Sequence, residues 1–419
     1  MNPVVYLVGG AVRDELLGLP VRERDWVVTG ASPEWLLDQG FRQVGADFPV
    51  FLHPETGEEY ALARTERKRG HGYHGFTVTF DPGVSIEDDL ARRDLTINAI
   101  ARAGDGSLVD PHGGRSDLDA RWLRHVSPAF SEDPLRVLRV ARFAARLSHL
   151  GFRVHPDTRQ LMRDMVASGE LEHLVPERAW AEISRAMGGP RPRVFIETLR
   201  DCDALAVLLP ELDRLFGVPQ NPEYHPEVDT GEHVLMALDM AEALGGSADA
   251  VTAVLLHDLG KGLTPAEEWP SHRGHEHHGA PLVEAVCARF RLPNRTRDLA
   301  VRVCRHHLRS HRLLEARPDT VMKLLEALDA FRRDDVDDFV LACEADYRGR
   351  GGGLDQRPYP QGQRLRAALE AAKAIHARDL EGVPPGPEMG VALRRARVQA
   401  IADLAVQPGD DMPRGGPQQ

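Results

Sequence analysis

Apolar positions along the chain fall into two regimes. Up to about residue 129 they form short runs, "VVYLVGG" (4–10), "DWVVTG" (25–30) and "FTVTF" (76–80), bounded by glycine, proline or charge; these predict β-strands, with a helix over Ser32 to Gln39 between them. Beyond Pro134 strand signals nearly vanish and the apolar spacing turns helical. In "SEDPLRVLRVARFAARL" (131–147) the arginines 136, 139, 142 and 146 share a wedge of roughly 120° on one helix, at about 100° per residue, while Val137, Val140, Ala141, Phe143, Ala144 and Leu147 mostly take another. The expected fold class is α+β, a small mixed-sheet head followed by all-helical regions. Two Pro- and Gly-rich stretches, "FGVPQNPEYHPEVDTGEH" (216–233) and "DYRGRGGGLDQRPYPQG" (346–362), read as linkers or domain joints, and "QPGDDMPRGGPQQ" (407–419) as a disordered tail. No internal repeat is evident.

Composition narrows the class without naming a function. With 419 residues, 42% hydrophobic and 28% charged, the chain is ordinary globular material with room for about two to four domains. Cys202, Cys287, Cys304 and Cys343 are scattered with no C-x-x-C pair, which argues against a disulfide framework or thiolate zinc site and fits a reducing compartment. Neither a signal peptide nor an apolar run of about 18 residues is present, so a cytoplasmic protein without a membrane partner is expected. A net charge of −12 argues against indiscriminate nucleic-acid binding, although the arginine-rich, glycine-punctuated "RTERKRGHGYHG" (64–75) offers a local basic loop for RNA.

Candidate chemistry begins at "VRERDWVVTG" (21–30). On a strand, residues two apart share a face, so Glu23 and Asp25 repel unless a cation lies between them; a polar strand edge neutralised by Arg22 and Arg24 is the plainer alternative. Upstream, "YLVGGAVRDELLG" (6–18) reads as strand, glycine pair and a helix from near Ala11, an arrangement that offers Gly10 and Arg13 to an anion. It is neither the dinucleotide G-x-G-x-x-G pattern nor a P-loop. Followed by the acidic pair, it suggests a phosphate cradle next to metal ligands.

"LVGGAVRD", "RERDWVV", "ARTERKRGHGYHGF", "EDDLARRDLTINAIA", "DPHGG", "SEDPLRVLRVARFAARL" and "LLHDLGKG" occur in that order. Together, to about residue 350, they resemble the bacterial CCA-adding enzymes, tRNA nucleotidyltransferases of the kind that carries an HD-type phosphohydrolase domain. The resemblance implies that Glu23 and Asp25 hold Mg2+, that Gly10, Arg13 and Arg93 meet the nucleotide, and that Asp94 and Asn98 brace the local structure. Two metals would polarise the attacking 3'-hydroxyl and neutralise the leaving oxygens. The family usually has Asp-x-Asp where this chain has Glu23-x-Asp25, and the extra methylene shifts a ligand oxygen by over about 1 Å against a strict octahedron, so activity is expected to be lowered or tuned.

In the family the E-D-x-x-R motif is a protein template for the base. Cytosine and adenine both pair an amino donor with a ring-nitrogen acceptor, which Asp133 and Arg136 complement, whereas guanine and uracil leave buried polar groups unpaired. Arg139 and Arg142 would then bind the nucleotide through its phosphates. Asp133 also has a structural job available as helix N-cap, as does Ser131. Further on, "DTGEHVLMAL" supplies His233, "AVLLHDLGKG" His257 and Asp258, and "CEADYRGR" Asp346, which resemble the ligands of HD-type phosphohydrolases. "RGHEHHGA" offers His275, and "CRHHLRSH" offers His306 and His307; of these the resemblance gives His275 and His307 to a second metal or a substrate phosphate. Ordinary surface histidines are the plain alternative in a chain that has 19.

The resemblance therefore implies a nucleotidyltransferase head over 1–129, a helical neck over 130–215 for nucleotide selection and RNA binding, an HD domain over 216–350 and a helical tail over 351–419. Its implied activities are template-free addition and repair of the tRNA 3'-terminal CCA from CTP and ATP, and phosphohydrolysis by a divalent transition metal, nickel among the candidates. The implied partners are tRNA, CTP and ATP, in a monomer or weak homo-oligomer. A poly(A) polymerase shares the head motifs but usually lacks an intact His-Asp set and has a basic extension. An enzyme adding only CC or only A shares the blocks as well. A phosphohydrolase whose head merely binds RNA is encouraged by Glu23 alone.

Overall fold

A computed structural model describes residues 3–45, 50–68 and 76–404, so most of the glycine-rich part of the basic loop and the 407–419 tail lie outside the described residues. The chain divides into two compact units, Met1–Asp213 and Arg214–Gln419.

The first unit is built on a mixed sheet. Its strands are β1 (Val4–Val8), β2 (Asp25–Thr29), β3 (Arg42–Val44), β4 (Val50–Leu52), β5 (Glu59–Leu62), β8 (Ala101–Ala103) and β9 (Leu108–Val109), ordered β3-β4-β5-β2-β1-β8-β9. β6 (Arg64–Lys68) and β7 (Phe76–Phe80) form a separate antiparallel pair. β1 runs antiparallel to β2 and β8, while β2 is parallel to β5. Alternation along β2 sends Val27 into a core with Val8, Leu90 and Ala101, and Val28 into another with Leu36, Phe51 and Leu62. Both faces of the sheet are thus covered, which fixes its register.

Past the head the described residues are mainly helical, although Arg153–Val154 forms a short strand parallel to Trp122–Leu123. Helix Leu135–Leu147 buries Val137, Leu138, Val140, Ala141 and Leu147 completely, as its periodicity predicts. Ser32 caps helix Pro33–Asp38 by accepting from the Trp35 N–H at 3.3 Å.

The second unit contains helices Thr230–Ala243, Ala248–Leu256, His275–Arg289, Asn294–His311, Pro318–Ala327, Val336–Arg348, Pro360–Lys373 and Pro387–Leu404, among shorter ones. Helix His275–Arg289 approaches the "HDLGKG" turn so closely that a β-carbon on Gly260 would lie 2.0 Å from the His275 carbonyl oxygen. Only glycine fits there. All four cysteines are free and buried, and burial pushes the thiols up, to about 11 for Cys202 and about 12 for Cys287 and Cys304, with Cys343 raised further. Among the described residues no helix is long and apolar enough to cross a membrane.

Candidate active sites

A cleft of about 1160 Å³ in the first unit is lined by Gly10, Arg13, Glu23, Asp25, Arg93, Asp133, Arg136, Arg139 and Arg142. The β1–β2 ladder explains its floor. The last pair in that ladder is Val8 with Asp25, after which Gly9, at φ 69°, turns the chain into helix Gly10–Leu16. Strand β2 therefore begins at Asp25, and Glu23 lies in the extended lead-in before it. That corrects the expectation of a shared strand face: the acids converge because ladder and turn end together.

Neither the Glu23 nor the Asp25 carboxylate has a hydrogen bond or ion pair among the described residues. Burial and the neighbouring Glu23 charge push the Asp25 carboxyl up, against the pull of Arg93. Two neighbouring carboxylates with no ion-pair partner suit a divalent ion completed by ligands from outside the protein. Arg93 donates to Asp89 Oδ2 at 3.1 Å, and a β-carbon on Gly9 would sit 2.9 Å from its Nη1, so the glycine makes room for the guanidinium.

The arginine wedge is an ion-paired seam rather than a free basic face. Arg139 donates to Asp94 Oδ2 through Nε at 2.8 Å, Arg142 to Glu182 Oε2 at 2.5 Å, and Arg146 to Asp14 Oδ2 at 2.8 Å. Arg13 is 1% exposed and donates to Asn98 Oδ1 at 2.6 Å and Asp14 Oδ1 at 2.8 Å. Burial alone would raise the Asp94 carboxyl, yet Arg139, the Asn98 amide and the Leu95 N–H hold it well below the usual carboxylate range. Asp94 and Asn98 thus tie the head to the Leu135–Leu147 helix. Glu182, buried on helix Pro176–Met187, escaped sequence reading because it meets Arg142 across 40 residues.

Asp133 is not the N-cap, because the helix begins at Leu135 with Pro134 in that place, but it does brace the helix start: its Oδ1 accepts from the Leu135 N–H at 3.0 Å and its Oδ2 from Arg178 Nη2 at 3.0 Å. Ser131 instead donates to the Pro128 carbonyl. Arg136 reaches the carbonyl oxygens of Ala129 at 2.7 Å and Arg92 at 2.5 Å. Both template candidates line the cleft while held by the protein.

In the second unit His233, His257, Asp258, His275, His307 and Asp346 are all buried together. His233 comes from helix Thr230–Ala243, His257 and Asp258 follow helix Ala248–Leu256, and Asp346 lies on helix Val336–Arg348. Asp258 faces two groups. Its Oδ2 is 3.2 Å from His257 Nε2 and 3.8 Å from His233 Nε2, while its Oδ1 is 3.2 Å from His275 Nε2 and 3.7 Å from His307 Nε2. Asp346 Oδ1 completes the first group, 3.1 Å from His233 Nε2 and 3.7 Å from His257 Nε2.

Three of these rings have their tautomer set by backbone. The Nδ1–H of His257 donates to the Val254 carbonyl at 2.7 Å, that of His275 to His272 at 2.9 Å, and that of His307 to Cys304 at 3.0 Å. A carbonyl only accepts, so each Nε2 is left to present a lone pair inward. His257 Nε2 and Asp258 Oδ1 are buried without a hydrogen-bond partner, the signature of ligand atoms aimed at an ion. Burial opposes charge on His257, yet Asp258 and Asp346 push its imidazole up to about 10, so the two carboxylates draw a positive charge to Nε2, a proton that a bound metal ion would displace. The donor set, imidazole with carboxylate, fits a divalent transition metal.

Sequence reading missed several neighbours. His311 Nε2 lies 2.7 Å from Asp346 Oδ2, and its i,i+4 spacing from His307 was the available signal. Lys261 Nζ donates to Asp258 Oδ2 and Gln220 Oε1, both at 2.6 Å. Glu227 Oε1 lies 3.0 Å from Nδ1 of both His225 and His233. Gln220, His225 and Glu227 belong to the first presumed linker, which folds onto the centre. His306 stands apart from the cluster, its imidazole pushed down to about 4 by burial and nearby arginines.

A mixed-sheet head with a paired-acid cleft, followed by helices that gather histidines and aspartates, defines a nucleotidyltransferase joined to an HD-type metal centre. The chain matches the poly A polymerase head domain over residues 5–124, a probable RNA and SrmB-binding site of polymerase A over 151–216, and the HD domain over 230–337. It is 63% identical to a multifunctional CCA protein of Thioalkalivibrio sulfidiphilus, covering 96% of this chain and 99% of that one. It is 60% identical to a multifunctional CCA protein of Alkalilimnicola ehrlichii, covering 96% and 97% respectively. The chain belongs to the multifunctional CCA protein family. Its fold is that of CCA-adding enzymes: an apo form aligns with a TM-score of 0.65 at 21% identity over 97% of this chain and 92% of the other. A Thermotoga maritima CCA-adding enzyme complexed with tRNA aligns at 0.62 and 21% identity, over 98% and 89%.

Proposed function

We propose that the chain adds and repairs the 3'-terminal CCA of tRNA from CTP and ATP without a nucleic-acid template, and that its HD centre is a metal-dependent phosphohydrolase acting on 2',3'-cyclic phosphodiesters, 2'-nucleotides and phosphomonoesters. The observation that carries the first activity is the cleft in which two unpaired carboxylates, the Gly9–Gly10 turn and the arginine seam converge. Kinship with multifunctional CCA proteins across nearly the whole chain supports the substrate.

Glu23 and Asp25 would hold Mg2+, which supplies charge neutralisation at the triphosphate. The turn at Gly10 and the guanidiniums of Arg13 and Arg93 bind phosphate oxygens, and Arg139 and Arg142 grip the nucleotide from positions that Asp94 and Glu182 preset. Asp133 accepts and Arg136 donates to the Watson-Crick edge, which requires each to exchange its present partner for the base. In the second unit His233, His257, Asp258 and Asp346 would hold a divalent transition metal such as Ni2+, which supplies Lewis acidity toward a phosphate ester. His275 and His307 share Asp258 with that group and bind a second ion or the substrate phosphate. The two activities are complementary, since an RNA end blocked by phosphate cannot be extended until its hydroxyl is restored. We further assign the head to 1–129, the neck to 130–215, the HD domain to 216–350 and the tail to 351–419.

The deciding experiment uses tRNA transcripts lacking CCA with magnesium and labelled CTP and ATP. Products longer by C, C and A are expected. A long adenylate tail would establish a poly(A) polymerase instead, and hydrolysis without any extension would leave only a phosphohydrolase.

A further inference from the structure

Asp346 presents its two oxygens to different surroundings. Oδ1 faces His233 and His257, whereas Oδ2 accepts from His311 Nε2–H at 2.7 Å. A carboxylate only accepts, so the proton lies on Nε2 of His311 and its Nδ1 is an acceptor. The Tyr359 hydroxyl, 3.2 Å away, supplies the matching donor, and its oxygen lies 2.9 Å from Ser310 Oγ, whose hydroxyl donates in turn. Tyr359 is 7% exposed and packs beside Tyr347 with ring centroids 5.3 Å apart. Two residues on, Gln361 Nε2 donates to the backbone carbonyl of His311 at 3.1 Å. Ring and backbone of His311 are therefore both held by the start of helix Pro360–Lys373, beyond the 230–337 span that matches the HD domain.

We propose that His311 and Tyr359 are positioning residues for the hydrolytic centre: a Tyr359–His311–Asp346 chain of hydrogen bonds fixes the Asp346 carboxylate so that Oδ1 is presented to the metal. Outer partners that orient a first ligand typically contribute 10–100-fold to metal affinity. The chain of bonds also makes the start of the tail helix a structural part of hydrolysis. The inference rests on the reading that the HD centre binds a divalent metal.

The test is metal affinity of the full-length protein, measured with Ni2+ against a competing chelator, alongside the ligand-field spectrum of the Co2+-loaded form. His311→Leu should weaken affinity about 10–100-fold. His311→Gln, whose amide N–H can still reach Asp346, should recover most of it. Tyr359→Phe should weaken it in the same direction by a smaller factor, and nucleotide addition should stay unchanged in all three. Unaltered Co2+ bands in His311→Gln are expected of an outer partner. Affinity within about twofold of wild type in both His311→Leu and Tyr359→Phe would overturn the proposal. So would a lost Co2+ band in His311→Gln, which would make His311 a direct ligand. Failure of the wild-type protein to bind either ion would instead overturn the metal reading on which the proposal stands.

Discussion

The two sites solve opposite electrostatic problems. In the first unit nearly every arginine of the cleft already has a carboxylate or carbonyl, whereas the Glu23 and Asp25 carboxylates make no ion pair among the described residues. In the second, carboxylates and imidazoles crowd into a buried cluster in which His257 Nε2 and Asp258 Oδ1 lack hydrogen bonds. A two-acid site offers few ligands and would rely on an incoming triphosphate for the rest, whereas the histidine cluster would offer four protein ligands of its own. The proposed head ion would thus arrive with substrate and the proposed HD ion would be resident.

The sharpest way to break that contrast is to disable one site at a time. Asp25→Asn should lower nucleotide addition on the order of a thousandfold or more, with hydrolysis of 2',3'-cyclic AMP within about twofold of wild type. His257→Ala should do the converse, and parallel assays on each variant would expose any dependence of one site on the other. Next in size is metal removal. Dialysis against chelator followed by Mg2+ alone should restore addition fully and leave hydrolysis below about a tenth, with recovery only on adding a transition metal. Recovery of both by Mg2+ would erase the distinction between a visiting and a resident ion.

Two smaller effects bear on the seam. Asp94→Asn removes the nearer carboxylate of Arg139, leaving Glu182 at 3.7 Å, and should destabilise the first unit by about 2–3 kcal/mol, below the 3–5 kcal/mol of a fully buried pair because Arg139 is 35% exposed. The same group sets an acid limit. Its carboxyl is held below the unfolded value near 4, so its stabilisation is complete above that value and is lost as pH falls toward the folded one. Denaturant unfolding between pH 6 and pH 3 should therefore show a steeper loss in wild type than in Asp94→Asn. Smallest is Glu23→Asp, which shortens one ligand by a methylene and should raise the rate of addition by up to about tenfold. An unchanged rate would show that the lead-in to β2 has adjusted to the longer acid.

How much of this was legible beforehand depended on the range of the interaction. The strands at Val4–Val8, Asp25–Thr29 and Phe76–Phe80 announce themselves by local patterning, and the arginine wedge by helical geometry. The partners of those arginines do not, because Glu182 and Asp94 reach them across 40 and 45 residues. Glu23 misled for a related reason: spacing of two implies a shared face only while the strand lasts, and the ladder stops at Asp25. His311 was readable from its spacing to His307. Tyr359 was not, since proline and glycine on either side conceal a buried hydroxyl within what looks like a joint.

The four sequestered thiols turn the molecule into its own gauge of opening. Cys202 lies in Met1–Asp213 and the other three in Arg214–Gln419, so an alkylating reagent meets one sulfur when the first unit unfolds and three when the second does. Mass increments of one or three adducts, followed over time in mild denaturant, would therefore reveal which half of the enzyme yields first and whether the halves yield together.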